Sequence, residues 1–224
     1  MLRSGLTVVA VVLLGMTALM PISAAHAQEA SPAAGLGAPD ASECTVEPRP
    51  ATFFEQFIGT PTAAQQEAMA GMAAATPDPA FQMPQGDPAD EATVSGVLET
   101  VWQLGACINA GDFWGRYAAL FTEDYFRREL ERFGPIPEEE LASITASPVA
   151  MPADFQVALL AVVDVRMLPD GRVAGLFDVQ DPFANPPGPS RFYWEFVQEE
   201  GRWLIDEQIM LGPVQPDQIG TPTA

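Results

Sequence analysis

The chain has 224 residues, with 30 Asp and Glu against 10 Lys and Arg, a formal net charge of −20 and a single His. It contains no Lys, which excludes a Schiff-base or phosphate-loop lysine, and a surface this negative repels nucleic acid and anionic membranes. The one imidazole is His26, inside an apolar leader, and the two Cys are Cys44 and Cys107. Without a His in the mature chain, no Ser-His-Asp triad, Cys-His pair or ordinary zinc site can be built. Carboxylates, Arg, Tyr, hydroxyls, hard-metal sites and plain binding remain; no cofactor and no metal is implied.

Residues 1–27 have the form of a cleaved signal peptide. Arg3 supplies the positive start, Leu6 to Met20 are apolar and uncharged, and Ala25-His26-Ala27 offers small residues at the two cleavage positions. The apolar run is shorter than the roughly 20 residues of a membrane span. A secreted or extracytoplasmic protein is therefore expected, with no membrane contact after cleavage; the alternative is a retained anchor. In an oxidising compartment Cys44 and Cys107 are expected to pair. That bridge would close a loop of about 60 residues, worth roughly 4 kcal/mol of unfolded-chain entropy. The alternative is two separately buried thiols.

Residues 28–43 are small, polar and Pro/Gly-rich, and are expected to form a flexible leader. Residues 44–87 form an arm in which Phe53, Phe54, Phe57 and Ile58 need cover. A short helix is expected over Thr62–Ala75, capped at Thr60 or Thr62, before Pro77 to Pro88 interrupt the chain. The compact domain spans 88–210. Its first helix starts at Asp87-Pro88, a cap with a first-turn proline, and its apolar face carries Val94, Val97, Leu98, Val101, Leu104 and Ile108. Gly111 ends it, and Asp112 can cap a second short helix over Phe113–Phe121, with Trp114, Tyr117, Ala118 and Phe121 inward. Thr122 caps a further turn or two ending by Gly134, and Pro137 to Leu141 opens another short helix with acidic residues at its positive end.

From Phe155 the period changes from helical to alternating. Val157, Leu159, Ala161, Val163, Val165 and Met167 read as one face of a long strand. Pro169-Asp170-Gly171 makes the turn, and Val173, Gly175, Phe177 and Val179 return on the same face. Pairing Leu168 with Arg172 sets Val163 against Phe177, Met167 against Val173, Val162 against Asp178 and Asp164 against Leu176. Asp181 to Pro189 is a proline-rich loop. Arg191–Gln198 and Arg202–Ile209 form a second hairpin around Glu199-Glu200-Gly201, and residues 211–224 are a loose tail.

Asn109-Ala110-Gly111-Asp112, Ala118-Ala119-Leu120-Phe121-Thr122-Glu123-Asp124-Tyr125 and Gly201-Arg202-Trp203-Leu204-Ile205-Asp206-Glu207 occur here in an order that resembles the nuclear transport factor 2-like superfamily, which includes the ketosteroid isomerase-like and SnoaL-like proteins. The resemblance covers about residues 88–210. It implies an α+β cone, a curved antiparallel sheet packed on N-terminal helices around an apolar cavity. It implies no single function, because relatives isomerise, dehydrate, cyclise, hydrolyse or only bind. The isomerase pattern of a carboxylate base with Tyr and Asp donors has no residue-by-residue counterpart in this chain.

Asp206 is the candidate catalytic residue. If Gln198 faces Arg202, Asp206 lies opposite Trp194, among Phe192, Phe196 and Leu204, where burial would raise its pKa and fit it for acid–base work. A one-residue change of register would turn it over. Trp114, Tyr117, Phe192, Trp194 and Phe196 are the candidate ligand-binding residues, with core packing as the alternative for aromatics at this spacing. Asp164 and Asp178, near Arg166, are explained by cross-strand ion pairing. Arg127, Arg128 and Arg132 could receive an anion, or balance the acidic residues of their own helix. The expectation is a non-catalytic binding domain for a small apolar ligand or a protein partner. A cofactor-free isomerase or dehydratase using Asp206 is the alternative, and a homodimer formed through the sheet is a third reading.

Overall fold

The computed structural model describes residues 36–65, 81–140, 142 and 146–221. The signal-peptide segment and most of the helix expected over Thr62–Ala75 lie outside the described residues. The start of that helix is visible: the Gln65 amide donates to Thr62 Oγ1, the cap expected there. Among the described residues no helix is long and apolar enough to cross a membrane.

The fold is α+β. Five antiparallel strands follow one another in sheet order: β1 (Asp87–Pro88), β2 (Ala158–Met167), β3 (Val173–Asp181), β4 (Gly188–Glu199) and β5 (Arg202–Pro213), and the sheet does not close on itself. Besides the helical start after Thr62, the α-helices among the described residues are α1 (Ala51–Glu55), α2 (Glu91–Asn109) and α3 (Glu123–Phe133). Asp90, rather than Asp87, caps α2 by accepting from the Thr93 amide at 2.7 Å. Asp87-Pro88 is instead the short edge strand paired with Met167 and Arg166, an edge being where a strand proline costs no ladder hydrogen bond. At the far end of α2, Gly111 takes φ 71°. A Cβ there would sit 2.0 Å from the Val149 carbonyl oxygen, so glycine is required twice over.

The second helix expected over Phe113–Phe121 is a series of turns ending in a 3₁₀ helix, Ala118–Leu120. Asp112 is the organiser, its Oδ1 accepting from the amides of Gly115 and Arg116. That local bonding offers the backbone an alternative to helix. Helix α3 is longer than the turn or two expected: Thr122 caps it through the Tyr125 amide, and Gly134 ends it after 11 residues.

One face of the sheet and helix α2 share a buried cluster in which Val97, Val101 and Leu104 join Val173, Phe177, Phe196 and Ile205. The opposite face carries Leu168, Ala174, Leu176 and Tyr193, covered by Phe81 and Met83. On β3 the alternation is as expected, odd residues on the α2 side. On β2 it is interrupted twice, by register shifts between Leu159 and Ala161 and between Val162 and Asp164. Each bulge adds one residue and reverses which parity faces the core. Val162 therefore pairs with Phe177 and packs on the main cluster, while Val163 belongs to the opposite face. The expected pairs Met167–Val173 and Asp164–Leu176, nearer the turn, are present.

The second hairpin differs at its turn. Glu200 and Gly201 take φ 51° and 79°, a two-residue turn, so Glu199 rather than Gln198 faces Arg202. A further shift between Glu195 and Phe196 leaves Asp206 without a Cα partner and sets Gln208 opposite Trp194.

Both segments expected to be loose are tied down where they are described. Gly37 exchanges two backbone hydrogen bonds with Leu159, and buried Asn109 donates to the Pro39 and Val157 carbonyls while accepting from the Val157 amide. The Cys44–Cys107 disulfide then joins the arm to α2. At the other end, the Gly220 amide donates to Asp178 and Arg191 reaches the Gln218 carbonyl.

Candidate functional site

Between α2 and the sheet lies a cavity of about 280 Å³. Helix α2 contributes Val101, Leu104 and Ile108, the same face that fills the core further up. The start of β2 brings Val157 and Leu159, β3 brings Val179 and Asp181, β4 brings Phe192 and Trp194, and β5 brings Gln208. Pro39, Tyr117 and, from α2, Trp102 and Gly105 complete the wall, with the exposed rings of Phe113 and Phe183 at the rim. The volume lies just under the roughly 300–1,000 Å³ usual for small-molecule sites.

The wall is apolar with a few placed polar atoms. The Trp194 ring packs near-parallel on both Phe177 and Phe192, with centroids 5.0 and 5.6 Å away. Its Nε1 is buried and has no hydrogen-bond partner, and neither has the buried Oε1 of Gln208. Both residues line the cavity and face each other across the β4–β5 ladder. Native proteins pair most of their buried polar atoms, since an unpaired one costs about 1–3 kcal/mol. Tyr117 packs against Phe121 at 4.9 Å, and burial raises its phenol well above the usual range, keeping it neutral. Asp181, at the rim, has Oδ1 engaged by the Phe183 amide.

The candidate residues separate into two groups. Tyr117, Phe192 and Trp194 share the cavity wall. Phe196 is fully buried in the main core beside Phe177, and Trp114 packs edge-on against Phe54 in a separate cluster with Ile136, so neither lines the cavity. Asp206 is elsewhere too. Its Oδ1 accepts from the Thr122 hydroxyl at 2.6 Å and lies 3.5 Å from Arg128, and its backbone carbonyl also receives Arg128. Arg128 is thus shared between Asp206 and Glu207, 3.8 Å away, while Arg127 pairs with Glu123 and Asp124 along α3.

No family model matches the chain, and no curated protein or solved structure matches it. Among the described residues no group of three His, Cys, Asp or Glu is placed to hold a metal ion.

Pro39, Val157, Val179, Asp181 and Gln208 were not among the sequence candidates. Gln208 was reachable in principle: a two-residue turn at Glu200-Gly201 plus one bulge moves the residue opposite Trp194 from Asp206 to Gln208. Pro39 carried no signal, because nothing in a Pro/Gly-rich leader announces that Asn109 will hold it down.

On the outer face, Asp178 and Arg191 form a bidentate ion pair at 2.7 and 2.9 Å, both fully or nearly fully buried. Asp164 pairs with Arg166 at 2.7 Å along β2 itself, so of the two carboxylates expected to pair across strands only Asp178 does, and with Arg191 rather than Arg166. Tyr193 donates to Glu195, which also receives Arg172. Burial and the neighbouring carboxylate both raise the Tyr193 phenol.

Proposed function

We propose that this is an exported, non-catalytic binding protein that holds a small apolar molecule in the cavity between α2 and the sheet. The observation that carries the reading is the chamber itself, about 280 Å³ between α2 and the sheet, lined mainly by Val, Leu, Ile and aromatic side chains with Asp181 and Gln208 among its few polar residues. An apolar chamber with a few convergent polar groups is the usual form of a small-molecule site. The disulfide is compatible with an extracellular setting, which supports export together with the leader of residues 1–27. In this reading the sheet and helices form the cone of a nuclear transport factor 2-like domain, with the cavity at its open end.

Two other readings have less behind them. An acid–base enzyme built on Asp206 needs that carboxylate at the ligand, whereas Thr122 and Arg128 engage it outside the cavity wall. A homodimer through the sheet needs a free outer face, whereas Phe81, Met83, Gln218 and Gly220 occupy much of β3 and β4 on that side.

The test is a fluorescence titration of the oxidised protein with the neutral probe N-phenyl-1-naphthylamine. Saturable one-to-one binding is expected, and Ile108→Trp, which fills the chamber from a half-buried position, should weaken it at least about tenfold. Equal binding by both proteins would place the probe elsewhere and overturn the reading.

A further inference from the structure

We infer that the apolar ligand ends in a single positive charge, an ammonium group received at the cavity rim by the Asp181 carboxylate and by aromatic rings of the same wall. This rests on the binding reading above and adds one charged end to an otherwise apolar molecule.

A regular stretch of strand places Asp181. β3 pairs with β4 from Val173 to Asp181 without a register shift, so Asp181 follows Phe177 and Val179 on the α2 side of the sheet. It stands at the last pair of that ladder, opposite Gly188, where it is half-buried and lines the cavity. Its Oδ1 accepts from the Phe183 amide at 2.8 Å. Among the described residues no ion pair includes Asp181, and the cavity wall contains no Arg. A carboxylate half out of water therefore has no counter-charge from the chain, a state that a ligand cation relieves.

The rest of the wall favours the same sign of charge. Six aromatic residues line it, Trp102, Phe113, Tyr117, Phe183, Phe192 and Trp194, and Phe113 and Phe183 are exposed at the rim. The face of an aromatic ring is negative and attracts a cation. The net charge of −20 draws cations from a distance. A carboxylate or phosphate would lose its hydration and meet only a like charge. A second positive charge would find no second carboxylate, because Asp181 is the one charged residue of the wall. The remainder of the ligand is hydrocarbon or aromatic, of a size suited to about 280 Å³.

The experiment is displacement of N-phenyl-1-naphthylamine, near neutral pH and at low salt, by 1-naphthylmethylamine, 1-naphthalenemethanol and 1-naphthoate. These share one ring system and differ in charge. For the wild-type protein the amine should bind about tenfold more tightly than the alcohol, and the carboxylate should be weakest. Asp181→Asn keeps an acceptor for the Phe183 amide and should reduce the preference for the amine to within about twofold. Glu200→Gln removes an exposed charge in the β4–β5 turn, outside the cavity wall, and should leave the preference intact. Should Asp181→Asn fail to fold, nuclear Overhauser contacts in the wild-type complex provide the second test. The methylene beside the ammonium should contact the Phe183 ring or the Asp181 β-protons, and its absence from both overturns the inference. Equal affinity of the wild-type protein for amine and alcohol, or an equal loss of preference in Asp181→Asn and Glu200→Gln, also overturns it and leaves an apolar binding cavity standing. Failure of all three compounds and of the probe itself to bind overturns both readings.

Discussion

Trp194 and Gln208 face each other across β4 and β5, and each leaves one polar atom buried without a hydrogen-bond partner. In the ligand-free protein this arrangement costs stability. Gln208→Leu removes the orphaned acceptor and substitutes a branched apolar side chain in an apolar wall, so the free protein should gain about 1 kcal/mol. Urea unfolding monitored by tryptophan fluorescence measures it. A loss of comparable size would mean that the amide makes a stabilising bond in solution.

The buried pair Asp178–Arg191 is the strongest electrostatic feature of the outer sheet face, and it also anchors the C-terminal segment through Gly220 and Gln218. Arg191→Met should cost roughly 3–5 kcal/mol, because it leaves Asp178 charged and buried. The double change Asp178→Leu with Arg191→Met should recover most of that loss. Equilibrium unfolding of the four proteins forms a double-mutant cycle, and additive losses would contradict the coupling.

All three tyrosines of the chain, Tyr117, Tyr125 and Tyr193, have phenols raised by burial above their ordinary value near 10. A group whose folded pKa is raised holds its proton more tightly folded than unfolded. Its contribution to stability is complete below about pH 10 and is lost as the pH rises beyond it. Native protein titrated with base should therefore show little phenolate absorbance near pH 10, and all three tyrosines should ionise together as the chain unfolds. In urea the same residues should titrate near 10. A reversible phenolate signal in the folded protein near pH 10 would contradict this.

Much of the architecture was legible in the sequence because it depends on local patterns. The 3.6-residue spacing from Val94 to Ile108, the Thr122 cap, Gly111 and the Pro169-Asp170-Gly171 turn each act within a few residues, and each is found where expected. What failed was register. Bulges flanking Ala161 and Val162 reversed the faces of β2, and the Glu200-Gly201 turn with the bulge at Asp206 replaced Asp206 by Gln208 at the cavity. Bulges answer to sheet curvature and to packing from distant segments, which strand alternation cannot report. The cavity was legible only in part for the same reason: Tyr117, Phe192 and Trp194 lie on regular stretches, whereas Pro39 is held there by Asn109, 70 residues along the chain.

Cys44 and Cys107 close a loop with a sequence separation of 63 and tie the arm to α2 beside Pro39 and Leu104. Reduction, or Cys44→Ser with Cys107→Ser, should lower stability by about 4 kcal/mol in the chain-entropy account. Because Cys107 is fully buried next to the cavity-lining helix face, the same change should weaken probe binding. Unchanged stability on reduction would show that the arm is held by its other contacts.

The central claim is that the chamber between α2 and the sheet is a ligand site, and native mass spectrometry of the oxidised protein equilibrated with N-phenyl-1-naphthylamine addresses it most directly. The account predicts a single adduct of one probe molecule per chain on the wild-type protein and bare chain for Ile108→Trp. Bare wild-type protein at saturating probe, or the same adduct on both proteins, would contradict it.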